Sequence, residues 1–210
     1  MIEIIKEENE LMTNDLVFAK VKSNAIIPTK DDENAGRDVY ACFDEDYIVI
    51  PAFTTKLIPT GIASAMTSKY EIRLRDRGSN GSKGIHVNAG SIDSGFRGEW
   101  FVAWCNTNDK QVVLSKLTEE ELINRFIGLD KEANKFLDDK IKFIDHNNND
   151  FIYDVYNNCF SNSIFYPYTK AIAQAEVCEV PIMNQYEITY DELLKISSKR
   201  GTGMLGSSGK

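Results

Sequence analysis

The chain has 210 residues, of which 42% are hydrophobic and 27% charged, with a formal net charge of −8. This length suffices for one well-buried domain with an insertion or a small second domain. The lack of a basic cluster argues against nucleic-acid binding, and the lack of an apolar run of about 18 residues argues against a membrane-spanning helix.

The first part of the chain alternates short apolar stretches with turn residues. After an N-terminal extension (1–14), strands are predicted at 16–21, 47–50, 56–62, 70–74 and 100–105. Pro, Asn, Asp and Gly separate these strands. Many short strands with frequent turns favour a β-sandwich or barrel for residues 15–106.

The character of the sequence changes after Asn106. Thr118 is a candidate helix N-cap with Glu121 three residues later, which is the capping-box pattern. We predict helices at about 118–128 and 130–145 from their apolar spacing. The strand pattern resumes at 170–180, so residues 107–168 are predicted to be a helical insertion in a β core made of 15–106 and 169–188.

The last segment, 189–210, is predicted to be an arm with a short helix at 190–195 and a Gly/Ser-rich tail. Glycines allow successive backbone N–H groups to converge on an anion, so this tail is a candidate phosphate-binding segment.

The four cysteines form no C-x-x-C pair, and the two histidines are distant from them in sequence. Structural zinc sites favour closely spaced ligand pairs, so a zinc site is not expected. Buried thiols in a reducing compartment are the simpler interpretation. The acidic start of the chain does not resemble a secretory signal, and we therefore expect a cytoplasmic protein.

Five short segments occur in a fixed order. They are AGRDVYA (35–41), RDRGS (75–79), NAGSIDSGFRG (88–98), AIAQ (171–174) and RGTGMLGSSG (200–209). These segments resemble the five ordered motifs of the trimeric dUTPase family, and the resemblance covers about 18–106 and 170–210. It implies a mainly β fold, a jelly-roll-type barrel that forms homotrimers, here with a mostly helical insertion between motifs three and four.

The resemblance also implies the chemistry, which is hydrolysis of dUTP to dUMP and pyrophosphate with Mg²⁺. Splitting a phosphoanhydride needs a positioned water, a base and positive charge on the triphosphate. Asp93 matches the family's water-activating Asp. Asp38 matches the acidic residue that helps to hold Mg²⁺, through water because this ion dehydrates reluctantly.

Further positions match the family's substrate contacts. Phosphate contacts are implied for Arg77, Gly78, Ser79 and Gln174 and, in the tail of a neighbouring subunit, for Arg200, Gly206, Ser207 and Ser208. Asn88, Gly90 and Ile92 fall in the uracil-recognising hairpin, Phe96 takes the place of the ring that packs on the deoxyribose, and Leu205 replaces the Phe that covers the uracil.

The sequence departs from the family in ways that leave alternatives open. Motif two usually reads Pro-Arg-Ser-Gly, whereas here Gly78 and Ser79 are exchanged, and Ala171 replaces an Arg that often opens motif four. One alternative is a catalytically weak homologue that acts as a nucleotide-dependent regulator, with the insertion 107–168 as a candidate surface for a protein partner. A dCTP deaminase is disfavoured, because the Glu that such enzymes need before the end of the following strand is Ala103 here.

Overall fold

A computed structural model describes residues 14–122, 163–198 and 202 of the chain. Regular structure in these residues is mainly β, as predicted. The strands are β1 (Leu16–Lys20), β2 (Gly36–Val39), β3 (Tyr47–Ile50), β4 (Thr55–Pro59), β5 (Ile62–Met66), β6 (Tyr70–Arg75), β7 (Ile85–Asn88), β8 (Ser91–Ile92), β9 (Phe101–Asn106), β10 (Gln111–Ser115), β11 (Ser163–Pro167) and β12 (Ala173–Glu179). The helices are α1 (Gly78–Gly81) and α2 (Tyr190–Lys195).

The strands form four small sheets. Their orders are β1-β5, β11-β10-β3, β2-β12-β6-β8 and β4-β9-β7. The described pairs are antiparallel apart from β10 with β11, which run parallel. The sheet β2-β12-β6-β8 matters most for function, because it joins motifs one, two, three and four.

One predicted strand, 56–62, is divided in the structure. Gly61 has a φ of +68° and separates β4 from β5. A Cβ at this position would lie 2.9 Å from both Ala25 Cβ and Cys42 Sγ. The chain therefore turns here at a residue that must be glycine for both conformation and space.

The boundaries of the predicted insertion, 107–168, need correction at both ends. β10 and β11 lie within this range, and β10 pairs with β3 of the core. The physical reason is burial: Val112, Val113 and Leu114 are fully buried, and a short apolar run of this kind is a core strand rather than part of a peripheral helix. The middle of the insertion, 123–162, lies outside the described residues.

The predicted capping box at the start of the insertion is confirmed. Residues 119–122 are helical. The Thr118 hydroxyl accepts from the Glu121 backbone N–H at 3.2 Å, and the Thr118 N–H donates to the Glu121 carboxylate at 2.8 Å. The rest of the helices predicted at 118–128 and 130–145 lies outside the described residues.

The core between the sheets contains two fully buried tryptophans, Trp100 and Trp104. Phe18 packs edge-on to Trp100 at 5.5 Å between ring centroids, and Tyr166 packs in the same way against Trp104 at 4.9 Å. Tyr166 belongs to β11, so the strand that follows 123–162 contributes directly to the core.

The chain divides between Val180 and Pro181 into two compact units. The second unit contains α2, at the position predicted for a helix. Thr189 caps α2, with reciprocal bonds to Glu192. Within the described ranges, none of the helices has the length and apolar character needed to span a bilayer.

Candidate functional site

Motifs one and four lie side by side because β2 and β12 are paired. Asp38 is the register partner of Gln174, so both side chains project from the same face of the sheet. Gln174 Nε2 donates to Asp38 Oδ1 at 3.3 Å. Two residues that are 136 positions apart in sequence are therefore in direct contact.

Motif two reaches the same place through Arg77. Its Nε lies 3.4 Å from Asp38 Oδ1, and its Nη1 donates to the Ala171 carbonyl at 3.2 Å. The Asp38–Arg77 pair is partly exposed, with side-chain exposures of 32% and 23%. The structure thus brings together three of the predicted site residues from three separate motifs.

These three side chains line a polar cleft of about 280 Å³. The loop before β2 forms its other wall with Thr29, Lys30 and Asn34. Lys30 Nζ donates to the backbone carbonyls of Asp32 and Asn34 at 3.1 and 2.9 Å, which fixes the loop. A cleft with an Arg, a Lys and backbone donors at its edge suits a phosphate group.

Gly78 and Ser79 follow Arg77 in α1, and both are exposed. A Cβ added at Gly78 would meet no atom within 4 Å. The next residue, Asn80, is only 1% exposed. Its Nδ2 donates to the Ile172 carbonyl at 3.2 Å, and its Oδ1 accepts from the Tyr166 hydroxyl at 3.0 Å.

Tyr166 and Asn80 hold motif two against motif four, and neither was identified from the sequence. The Tyr166 hydroxyl also donates to the Ala171 carbonyl. Burial raises the pKa of Tyr166, and its contacts with Asn80 and Arg77 act in the opposite direction. No local pattern marks this contact, because Tyr166 and Asn80 are 86 positions apart.

Asp76, directly before Arg77, ties the ends of the motif-two loop together. Its carboxylate accepts from the Val87 N–H at 2.5 Å and lies 2.9 Å from His86 Nδ1. The loop 77–84 is therefore closed by one side chain that occupies the position of the usual proline.

Motif three forms the hairpin between β7 and β8. Ala89, at its tip, has a φ of 49°, a left-handed conformation that is uncommon for alanine. Gly90 is packed so tightly that an added Cβ would lie 2.3 Å from the Leu74 carbonyl oxygen. Asn88 is exposed at the hairpin, and Ile92 is buried at 8% exposure.

Asp93 and Phe96 lie in the turn after this hairpin, where the Phe96 N–H donates to the Asp93 carbonyl at 3.0 Å. Asp93 is exposed, and within the described part of the chain its carboxylate has no hydrogen bond or ion pair. Phe96 is 43% exposed, and its ring covers Gly98, where a Cβ would lie 2.6 Å from it.

Asp93 does not lie in the cleft formed by Asp38, Arg77 and Gln174. In the central sheet, Gln174 is paired with Arg75, whereas Ile92 is paired with Ile72. This offset of three residues corresponds to about 10 Å along the strand, and the step from β2 to β8 adds about 14 Å across the sheet. One chain therefore presents the predicted base and the predicted phosphate cleft at separate places.

The predicted tail residues Arg200, Leu205, Gly206, Ser207 and Ser208 lie outside the described residues. In the described ranges there is also no group of three or more His, Cys, Asp or Glu side chains arranged around a metal. The only contacts of Asp38 there are made through Oδ1. The second oxygen, Oδ2, is thus available to accept from a water bound to a hard cation, and the residue fits the predicted water-mediated role toward Mg²⁺.

Comparison with known proteins agrees with this arrangement. The model of the dUTPase family matches residues 22–119. A deoxyuridine 5'-triphosphate nucleotidohydrolase of Hydrogenobaculum sp. is 36% identical over 105 residues, covering 48% of this chain and 72% of the relative. The enzyme of the same name from Syntrophotalea carbinolica is 35% identical over 103 residues, covering 46% of this chain and 67% of the relative.

A similar fold occurs in the dUTPase of Staphylococcus bacteriophage 80alpha with dUPNHPP, with a TM-score of 0.59 at 18% sequence identity. The alignment covers 94% of this chain and 100% of the phage protein. At this identity the likeness concerns the fold, whereas the family model and the sequence relatives concern descent. Together with the ordered motifs, they show that the chain belongs to the dUTPase family.

Proposed function

We propose that this protein hydrolyses dUTP to dUMP and pyrophosphate. The observation that carries the proposal is the convergence of Asp38, Arg77 and Gln174, from three motifs of the family, on one polar cleft. The relatives that share these motifs are named for this reaction. We extend their activity to this chain together with a cytoplasmic location.

The cleft is the proposed site for the phosphates. Arg77 is held by Asp38 and the Ala171 carbonyl, so its guanidinium is already oriented when substrate arrives. Preorganised positive charge stabilises the charge that develops on the phosphoryl oxygens. Gln174 contributes an amide N–H, and the exposed Ser79 hydroxyl replaces the hydroxyl that Gly78 lacks.

Asp93 is the proposed base for the attacking water at the α-phosphate. Its exposed and unpaired carboxylate can accept a proton from water. The neighbouring hairpin then recognises the nucleoside: Asn88 and Gly90 expose backbone groups for the uracil, Ile92 supports the turn from below, and the Phe96 ring packs on the deoxyribose.

Mg²⁺ is the proposed cofactor, and when bound it supplies positive charge that neutralises the triphosphate. A structure of the phage phi11 dUTPase is described as showing the coordination of a structural Mg(II) ion. In this chain, the residue we assign to the ion is Asp38, through water.

We also propose a homotrimer with shared active sites. The separation between Asp93 and the Asp38–Arg77–Gln174 cleft supports this assembly, because a second copy can bring its hairpin to the cleft of the first. Under the same proposal, a neighbouring tail with Arg200, Leu205, Gly206, Ser207 and Ser208 closes over the nucleotide. A protein partner at the insertion remains a prediction without a described contact.

The assembly can be tested by mixing two inactive variants. Asp93→Asn chains keep the cleft, and Arg77→Ala chains keep the base. If a site takes its cleft and base from different chains, refolded mixtures recover about one quarter of the wild-type activity by random assembly. Mixtures that stay inactive while forming trimers by native mass spectrometry would contradict the shared site.

The reaction itself is tested with a substrate panel. Purified protein with Mg²⁺ is incubated with dUTP, dCTP, dTTP and UTP, and both pyrophosphate and ammonia are measured. We expect pyrophosphate from dUTP only and ammonia from none. Ammonia from dCTP would indicate a deaminase, and no product from any nucleotide would favour the alternative of a regulatory homologue.

A further inference from the structure

Tyr166 connects the strand after the insertion to the proposed phosphate cleft. β11 follows residues 123–162 and pairs in parallel with β10. Tyr166 lies near its end and is only 5% exposed. The ring packs on Trp104, so the aromatic part of the side chain is explained by the core. The hydroxyl group has a separate set of contacts.

The hydroxyl lies between motif two and motif four. It is 3.0 Å from Asn80 Oδ1 and 2.5 Å from the Ala171 carbonyl oxygen. Arg77 donates to the same Ala171 carbonyl at 3.2 Å. One carbonyl therefore receives both the Tyr166 hydroxyl and the guanidinium that faces Asp38.

We propose that Tyr166 is a positioning residue for Arg77, and that through it the strand leaving the insertion sets the geometry of the phosphate cleft. This inference rests on the proposed function. Asn80 is held by the Tyr166 hydroxyl and by Ile172, so α1 has a fixed distance from the start of β12. Arg77 directly precedes α1 and takes its position from it.

The network replaces family features that this chain lacks. Ala171 stands where an Arg often opens motif four, and two glycines, Gly78 and Gly81, make α1 intrinsically weak. A short glycine-containing helix needs external contacts to keep a defined position. The buried side chains of Asn80 and Tyr166 supply them.

The first test is Tyr166→Phe, which keeps the ring against Trp104 and removes the hydroxyl. We expect kcat/KM for dUTP to fall about tenfold, the scale of one hydrogen bond in a network with a charged group. Inhibition by inorganic pyrophosphate should weaken to a similar extent, whereas inhibition by deoxyuridine should not change. A general loss of structure would weaken both inhibitors together.

Tyr168→Phe is the matched control, because this tyrosine packs on Phe43 and its hydroxyl contacts Cys42, away from the cleft. Its kcat/KM should equal that of the wild type. A second variant, Asn80→Leu with Tyr166→Phe, removes both polar partners and leaves no buried unpaired group, so it should recover thermal stability. We expect its kcat/KM to stay low despite that recovery.

The outcomes separate the two levels of the argument. If the wild type hydrolyses dUTP and Tyr166→Phe matches it, or the double variant recovers full activity, the positioning role is wrong while the proposed function stands. If the wild type releases no pyrophosphate from dUTP, the proposed function fails and the positioning role fails with it.

Discussion

Arg77 lies 3.4 Å from Asp38 through its Nε and at the same time donates to the Ala171 carbonyl through its Nη1. Each of the two contacts uses a different nitrogen of one planar group. A lysine ammonium at this position would have a single nitrogen and a more flexible stem, so it could not reproduce both contacts with the same orientation.

Arg77→Lys should therefore lower kcat/KM for dUTP about 100-fold, since both the orientation and the bidentate geometry are lost. The measurement is steady-state pyrophosphate release. Arg73→Lys is the control, because Arg73 is exposed and paired only with Glu71. Equal activities of Arg77→Lys and the wild type would remove Arg77 from the site.

The exchanged residues of motif two can be tested against each other. Ser79→Ala should lower kcat/KM about tenfold if its hydroxyl contacts a phosphate. Gly78→Ser, added to Ser79→Ala, should restore most of the activity, because an added Cβ at Gly78 meets nothing within 4 Å.

Ser82→Ala, in the same exposed loop, is the control and should leave activity unchanged. Full activity of Ser79→Ala would show that the serine hydroxyl is dispensable. Failure of Gly78→Ser to restore activity would show that the contact depends on the position of Ser79.

Gly90→Ala tests the packing of the hairpin. The new methyl group would lie 2.3 Å from the Leu74 carbonyl oxygen, so the hairpin or β6 has to move. Overpacking of this kind destabilises a protein by about 2 kcal/mol. Urea unfolding measures this loss, and Gly95→Ala should show none because a Cβ there meets no atom within 4 Å. An unchanged unfolding midpoint for Gly90→Ala would contradict the close approach.

Cys42 predicts a pH dependence of stability. The thiol is 1% exposed, and burial raises its pKa. The folded state then holds the thiol proton more tightly than the unfolded state, so this contribution to stability is complete below the ordinary thiol pKa and declines as the pH rises through the folded value.

Cys42→Ser removes this titration while keeping a side chain of similar size that can donate to Asn24. Between about pH 8 and pH 10, its unfolding midpoint should fall less steeply than that of the wild type. Cys178→Ser is the control for a partly exposed thiol. Parallel declines for Cys42→Ser and the wild type would rule out the contribution of Cys42.

The sequence predicts the site better than it predicts the edges of the fold. Asp38, Arg77 and Gln174 were identified from ordered motifs, and β2, β6 and β12 place the three motifs together. β10 and β11 were assigned to the insertion, because short apolar runs do not distinguish a buried strand from a helix. The Tyr166–Asn80 contact has no local signal, since it depends on how β11 returns to the core.

The separation of Asp93 from the cleft was also not evident from the motifs. Their order in sequence suggests one continuous site, whereas the register of β6 with β8 and β12 places Ile92 and Gln174 opposite different parts of the same strand. Register depends on all the pairs of a sheet together, and the implied sharing between subunits came from the family resemblance alone.

The central claim is that Asp93 activates water for attack on dUTP. The most direct test is pyrophosphate release from dUTP with Mg²⁺ by the wild type and by Asp93→Asn, with circular dichroism and native mass as checks on folding and assembly. We predict rapid release by the wild type and a loss of at least about 100-fold in the variant, with unchanged folding, because the amide cannot accept the proton. Comparable release by both proteins would contradict the assignment of Asp93 as the base.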